Sequence, residues 1–199
     1  MEEQVFSLDW EKGCSIEFDF GTGMARGIPI VKRRLSEMHG MFSDADAYQR
    51  KLEQEDPVVY EYHALNIPQT SGDISFGFSI LMPGRVGSEY YFTKGHFHNI
   101  PDTAEMYLCT KGHGYLLLES NAGDCRLLEL IPGRAGYVPK GYAHRSINIS
   151  ASEPFITLFA YRADAGHDYA TIETKGFRKL LICKDGTPAL VDNPKWMER

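Results

Sequence analysis

The sequence lacks a long apolar run, which excludes a transmembrane helix. No stretch approaches the about 18 consecutive apolar residues that such a helix needs. The first residues, Met1-Glu2-Glu3-Gln4, are acidic, and the hydrophobic segment of a signal peptide is missing there. We therefore expect a cytoplasmic protein with no membrane partner.

Cysteine is scarce and widely spaced. The four cysteines are Cys14, Cys109, Cys125 and Cys183, and they form no C-x-x-C pair. This spacing argues against a disulfide framework or a zinc knuckle. We expect buried, reduced thiols.

Positive charge is in deficit. The 21 Lys and Arg residues stand against 27 Asp and Glu residues, for a net charge of −6. General nucleic-acid binding requires a basic surface, so we expect no nucleic-acid partner. The 199 residues contain no internal repeat and no linker, and 43% are hydrophobic. Disorder is therefore excluded as the dominant state, and the sequence predicts a single domain.

One segment has the pattern of a helix, over residues 44–55. Ala45, Tyr48 and Leu52 recur at helical spacing and form an apolar face. Ser43 is the predicted N-cap of this helix.

From residue 58 onward, short β-branched and aromatic runs alternate with Gly and Pro. This alternation of short β-prone runs with turn residues predicts an all-β sandwich or barrel. The predicted strands cover residues 58–63, 74–82, 89–94, 104–110, 114–119, 125–130, 135–138, 144–149 and 155–161. Residues 15–20, 178–184 and 188–191 are candidate edge strands.

Four residues have the spacing of a metal site. His96 and His98 are two residues apart near a predicted strand end, so their imidazoles can face the same side. A turn after His98 would return Glu105 beside this pair, and His144 begins another strand. Three imidazoles and one carboxylate suit a divalent transition metal. His39, His63 and His113 lack such neighbours and are assigned to surface or hydrogen-bonded polar roles.

The surroundings of these residues resemble the cupin superfamily. The second cupin motif, G-x5-P-x-G-x2-H-x3-N, is matched at every position, by Gly133, Pro139, Gly141, His144 and Asn148. The first motif, G-x5-H-x-H-x3-4-E-x6-G, is matched by His96, His98, Glu105 and Gly112. It departs in having Tyr90 where the leading glycine stands, and six residues between His98 and Glu105.

The departure is typical of one branch of the superfamily. Thr93-Lys94-Gly95-His96-Phe97-His98, followed after six residues by Glu105-x-Tyr107, resembles the archaeal-type (cupin) glucose-6-phosphate isomerases. Asp164-Ala165-Gly166-His167-Asp168-Tyr169 and Val191-Asp192-Asn193-Pro194-x-Trp196 agree as well. The resemblance extends from about Arg33 to Trp196.

The resemblance implies a fold and a set of roles. The fold is a cupin-type double-stranded β-helix (jelly-roll) barrel, with an N-terminal arm and helix over 1–56, a barrel core over 57–165 and an extension over 166–199. The implied metal ligands are His96, His98, Glu105 and His144. The implied phosphate-binding residues are Ser79, Thr93, Gly95, Tyr161 and His167. Tyr107 is implied to contact the substrate, and Lys94 can add charge nearby.

The implied activity is interconversion of glucose 6-phosphate and fructose 6-phosphate. It would use one divalent ion per subunit, with Fe²⁺ favoured over Mn²⁺, Ni²⁺ or Zn²⁺, in a homodimer. The two mechanisms are proton transfer by Glu105 through a cis-enediol, which we favour, and a metal-assisted hydride shift. The competing functions are another sugar-phosphate isomerase or epimerase, a non-haem iron dioxygenase and a non-catalytic sugar-phosphate sensor, because one scaffold hosts many activities.

Overall fold

A computed structural model describes residues 8–63 and 65–196. The described part is mostly antiparallel β-structure, with two short α-helices and two 3₁₀ helices, Leu35–Met38 and Ala163–Ala165. The strands are β1 (Ile30–Arg34), β2 (Val58–His63), β3 (Ile74–Leu81), β4 (Arg85–Val86), β5 (Glu89–Tyr90), β6 (Glu105–Lys111), β7 (Gly114–Ser120), β8 (Cys125–Leu130), β9 (Ala135–Val138), β10 (Tyr142–Asn148), β11 (Phe155–Arg162), β12 (Lys179–Lys184) and β13 (Thr187–Asp192). The helices are α1 (Ala45–Gln54) and α2 (Ala170–Lys175).

Three sheets build the barrel. A six-stranded sheet has the order β1-β2-β3-β11-β6-β9, and a three-stranded sheet has the order β10-β7-β8. A third sheet, β13-β12-β5-β4, joins the C-terminal hairpin to the short strands that precede the histidine pair. Pairing of residues distant in sequence, such as Phe155 with Leu81, closes the jelly-roll topology.

The core lies between the inner faces of these sheets. Alternate residues in the first part of β6 are buried, as expected for a strand with one face on a core, whereas four consecutive residues of β7 are buried, so this strand is covered on both faces. Tyr107 and Cys109 from β6 pack in one cluster with Leu116 and Leu118 from β7. The predicted all-β, cupin-type barrel is confirmed by this arrangement.

Strand positions follow the prediction closely in the barrel. The strands at 58–63, 125–130 and 135–138 have the predicted bounds, and β10 begins two residues before the predicted 144. The predicted strand 89–94 is wrong beyond Tyr90. After Tyr90 the chain continues as a loop held by isolated bridges, including Phe92 with Ile147.

The predicted edge strand at 15–20 is also wrong. Its Phe18 makes only an isolated bridge with Ala25, because the Asp19 carboxylate accepts the N–H of Gly21 at 2.8 Å and turns the chain. Phe18 instead packs over Phe78 on the outer face of the six-stranded sheet, with ring centroids 5.0 Å apart.

The first helix forms where predicted, but with a different cap. Asp44 is the N-cap, and its Oδ1 accepts the Ala47 N–H at 2.8 Å. The predicted cap, Ser43, is instead bonded to the buried Glu89 carboxylate, to which its N–H donates at 2.6 Å. A long-range contact therefore decides between two adjacent residues that can both cap a helix.

No helix in the described ranges has the length and apolar composition needed to cross a bilayer.

All four cysteines are free thiols, as expected. The expectation of burial holds for Cys109 but is wrong for Cys14, which is exposed.

Candidate metal centre and cavity

The histidine pair lies on a loop that is pinned from two sides. His96 forms a bridge with His144 of β10, with N–H···O distances of 3.3 and 3.1 Å. The next residue, Phe97, forms a second bridge with Asp168. These contacts hold the loop between β10 and the segment before α2, so that both imidazoles turn into the barrel.

Four side chains converge at this point. One ligand atom from each of His96, His98, Glu105 and His144 lies within 4.8 Å of the others, and all four residues are buried. Glu105 Oε2 is 2.9 Å from His144 Nε2, 3.1 Å from His98 Nε2 and 3.9 Å from His96 Nε2. The turn after His98 therefore returns Glu105 to the histidine pair, as the spacing predicts.

The outer ring nitrogens orient two of the imidazoles. His98 Nδ1 lies 3.2 Å from the Gly166 carbonyl oxygen, and His144 Nδ1 lies 3.5 Å from that of Tyr142. An N–H at each Nδ1 donates to its carbonyl and leaves Nε2 as a lone-pair donor facing the cluster.

The inner nitrogens fit a cation. Nε2 of His96 and of His144 is buried and has no hydrogen-bond partner within residues 8–63 and 65–196. Buried polar atoms normally have partners, so these two require an explanation. A divalent ion between the imidazoles and the Glu105 carboxylate would satisfy both nitrogens, and the donor set suits a transition metal.

Burial and the neighbouring charges shift the acidity of the site. Burial lowers the pKa of His96 well below its ordinary value, which keeps the ring neutral and able to bind a metal. Burial by itself raises the pKa of Glu105, but the adjacent His144 and His98 hold it well below its usual range. Burial and the Glu105 carboxylate raise the pKa of Tyr107 well above its ordinary value, so its hydroxyl keeps its proton.

The cluster lies beside a cavity of about 680 Å³, a size typical of small-molecule sites. The cavity is lined by nearly every residue singled out from the sequence: Ser79, Thr93, Lys94, Gly95, His96, Glu105, Tyr107, His144, Tyr161 and His167. His98, the fourth residue of the cluster, is not among the lining residues. The structure thus brings together the two groups of residues that the sequence assigned to metal and to phosphate.

Several residues that line the cavity have no role that the sequence predicts. Polar lining residues without a predicted role include Arg33, Tyr60, Tyr62, Ser146, Tyr169 and Glu173. Tyr169 follows His167 by two residues and stacks on it, with ring centroids 5.5 Å apart. His63 has the polar role assigned to it, because its Nε2 accepts the Ala25 N–H at 3.0 Å, yet it also borders the cavity.

Known proteins of two kinds resemble this chain. A family model described as "Glucose-6-phosphate isomerase (GPI)" matches residues 32–196. A glucose-6-phosphate isomerase of Pyrococcus furiosus is 48% identical over 94% of this chain and 98% of its own length. That of Thermococcus kodakarensis is 44% identical over 96% of this chain and 100% of its own length. A solved variant of Bacillus subtilis oxalate decarboxylase is 23% identical, covering 57% of this chain and 29% of its own, with a TM-score of 0.42.

The family match spans the barrel, the histidine pair, the cavity and the C-terminal hairpin. The two archaeal relatives cover nearly the whole chain at 48% and 44% identity, and sequences this similar share a fold. The chain therefore belongs to the glucose-6-phosphate isomerase family.

Proposed function

We propose that this protein interconverts glucose 6-phosphate and fructose 6-phosphate, with one divalent metal ion held by His96, His98, Glu105 and His144. The observation that supports this most directly is that a buried cluster suited to a cation borders the same cavity as a loop suited to a phosphate. An aldose–ketose isomerase needs both in one site, since it must hold the phosphate and act on carbons at the other end of the sugar.

The phosphate end is formed by residues 93–95, which we call the anion loop. Within the described ranges, the Gly95 N–H has no hydrogen-bond acceptor, although the N–H groups of Thr93 and His96 do. The Lys94 N–H is directed at the Tyr60 hydroxyl. Gly95 has a φ of +77°, which turns the chain so that successive N–H groups can face one anion. A free N–H donor at the cavity wall suits a phosphate oxygen.

A hydroxyl and an ammonium complete this end. Thr93 Oγ1 accepts the Ser146 N–H at 3.0 Å, so the hydroxyl proton remains free to donate into the cavity. Lys94 Nζ is paired with Glu173 at 2.7 Å, and both residues line the cavity. Ser79, Tyr161 and His167 line the same cavity and are assigned to the phosphate by the family resemblance.

The other end of the site is formed by the four candidate metal ligands, His96, His98, Glu105 and His144. A divalent ion in this site would act as a Lewis acid on the carbonyl and hydroxyl oxygens at C1 and C2. Fe²⁺ is our preferred ion, and Mn²⁺, Ni²⁺ and Zn²⁺ fit the same donors. Tyr107 keeps its proton at neutral pH and can donate a hydrogen bond to a substrate oxygen.

Hydrogen moves between C1 and C2, and Glu105 is the proposed base for a proton route through a cis-enediol. Its depressed pKa makes it a weak base, which is the main argument for the alternative hydride shift. Turnover in deuterated water distinguishes the two routes. Deuterium at the transferred position supports proton transfer, and complete retention of the substrate hydrogen refutes it.

The activity is tested by removing bound metal and restoring single divalent ions. We expect conversion of fructose 6-phosphate to glucose 6-phosphate to return with the ion, without oxygen. Oxygen uptake in place of isomerisation would favour a dioxygenase, and tight sugar-phosphate binding without turnover would favour a sensor. Mannose 6-phosphate and pentose phosphates, assayed alongside, test for another isomerase or epimerase.

Assembly and location are predictions of the same proposal. We infer a homodimer in the cytoplasm. Light scattering on the purified protein should give twice the 22.5 kDa of one chain. A monomer mass at micromolar concentration would refute the dimer.

A further inference from the structure

Arg145 lies directly behind the cavity wall. Its neighbours on β10, His144 and Ser146, line the cavity, so strand alternation directs Arg145 to the opposite face. Only 3% of Arg145 is exposed. Its guanidinium carbon is 4.1 and 4.2 Å from the ring centroids of Phe92 and Phe177, which hold it in place from both sides.

The guanidinium contacts the anion loop. Arg145 Nη2 donates to the Lys94 carbonyl oxygen at 2.8 Å. The two buried carboxylates whose charges act on Arg145 have other donors: Glu89 accepts the Ser43 N–H at 2.6 Å, and Glu119 accepts the Arg178 N–H at 2.5 Å. The hydrogen bond that Arg145 itself makes in the described structure is therefore directed at the loop.

This bond sets the direction of the next N–H group. The peptide bond between Lys94 and Gly95 is trans, and in a planar trans peptide the C=O and N–H point in opposite directions. With the Lys94 carbonyl held on Arg145, the Gly95 N–H points away from it. A Cβ on Gly95 would lie 2.8 Å from the His144 carbonyl oxygen and 3.0 Å from Arg145 Cβ, so the loop rests against β10 at this residue.

We propose that Arg145 is a positioning residue that fixes the Lys94–Gly95 peptide so that the Gly95 N–H donates to the substrate phosphate. The inference rests on the proposed phosphate site and adds a residue that never touches the substrate. The charged donor also polarises the peptide, which strengthens the N–H as a donor. Lysine cannot replace this role, since its single ammonium lacks the planar fork that fits between two rings and reaches a fixed carbonyl.

The test compares two substitutions of buried or partly buried arginines. Arg145→Lys retains the positive charge near Glu89 and Glu119 but removes the rigid fork. Arg178→Met is the control, because Arg178 stacks over Trp196 at 4.0 Å and pairs with Glu119 without contacting the anion loop. The measurements are calorimetric titration of the metal-loaded protein with inorganic phosphate, steady-state kinetics with fructose 6-phosphate, and bound metal content.

For Arg145→Lys we expect the dissociation constant of inorganic phosphate and the KM to rise about tenfold, as for loss of one charge-assisted hydrogen bond. We expect kcat to change by less than about twofold, because a bond made equally in ground and transition states affects KM alone. Metal content should be unchanged, and Arg178→Met should match the unaltered protein in phosphate affinity. Equal weakening by both substitutions, or a lower kcat with unchanged phosphate affinity, would overturn the proposal.

A second measurement uses the unaltered protein and so does not depend on how a variant folds. The Gly95 amide resonance should move downfield when inorganic phosphate is added, and its hydrogen exchange should slow. An unchanged chemical shift and exchange rate of the Gly95 amide at saturating phosphate would overturn the proposal. If phosphate shifts the Gly95 amide resonance but the protein shows no isomerase turnover, only the proposed function is refuted. If the protein turns over but phosphate leaves the Gly95 amide resonance unchanged, only this inference is refuted.

Discussion

Substituting Glu105 by Gln should abolish most of the stabilisation that a divalent ion gives the fold. Glu105 is 3% exposed and is the one carboxylate among three imidazoles in the cluster. Glutamine has nearly the same size, so the change removes the negative charge and leaves the packing intact. Altering residues that only support a metal ligand costs about 10–100-fold in affinity, so loss of a direct ligand's charge should cost at least about 100-fold.

That factor converts into a measurable shift in melting temperature. At an ion concentration 100 times the dissociation constant, binding stabilises the unaltered protein by about 2.7 kcal/mol. For a domain of this size each kcal/mol moves the melting temperature by about 2–4 °C, so the ion should raise it by about 5–11 °C. With affinity 100-fold weaker, the same concentration gives about 0.4 kcal/mol, or about 1–2 °C.

The assay is thermal unfolding of metal-free protein, with and without added Mn²⁺ or Zn²⁺. Glu89→Gln is the matched control, because Glu89 is 2% exposed and bonded to Ser43 rather than to the cluster. It should lower the melting temperature of the metal-free protein but keep the full shift on adding the ion. A full shift in Glu105→Gln, or an equal loss in both variants, would refute the proposed ligand set.

Three further predictions concern the phosphate end of the cavity. Thr93→Val should raise the KM for fructose 6-phosphate by about tenfold, because it removes a free hydroxyl donor, whereas Thr93→Ser should stay near the unaltered value; equal effects would contradict the role of the hydroxyl. Burial lowers the pKa of His167 below 6.5, so the unfolded chain binds more protons and the metal-free protein should lose stability as pH falls below about 6.5. His167→Asn should reduce that slope by at most about 1.4 kcal/mol per pH unit in denaturant titrations, and an unchanged slope would show that His167 does not contribute. Glu173→Gln should tighten inorganic phosphate binding by at most about fivefold, since it frees Lys94 from a half-exposed ion pair, and weaker binding would refute that competition.

Much of the barrel could be predicted because the sequence patterns that mark its strands are local. Runs of β-branched and aromatic residues between Gly and Pro turns mark strands that are half buried, and β2, β8 and β9 have the predicted bounds. β1 escapes prediction because Ile30–Arg34 is rich in charge and becomes a strand through its pairing with β2. α2 escapes because its six residues are too few to show helical periodicity.

The sequence by itself was enough to predict the candidate metal donors, because the residue types and spacings of His96, His98 and Glu105 restrict the chemistry to few possibilities. Only the tertiary structure decided where their atoms meet and which other groups share the cavity. Arg145 and Lys94 are 51 residues apart, and no local pattern relates a buried guanidinium to one carbonyl at that separation. By residue type alone, several partners are equally suitable for such a contact. The packing of distant strands decides which of them come within hydrogen-bond distance.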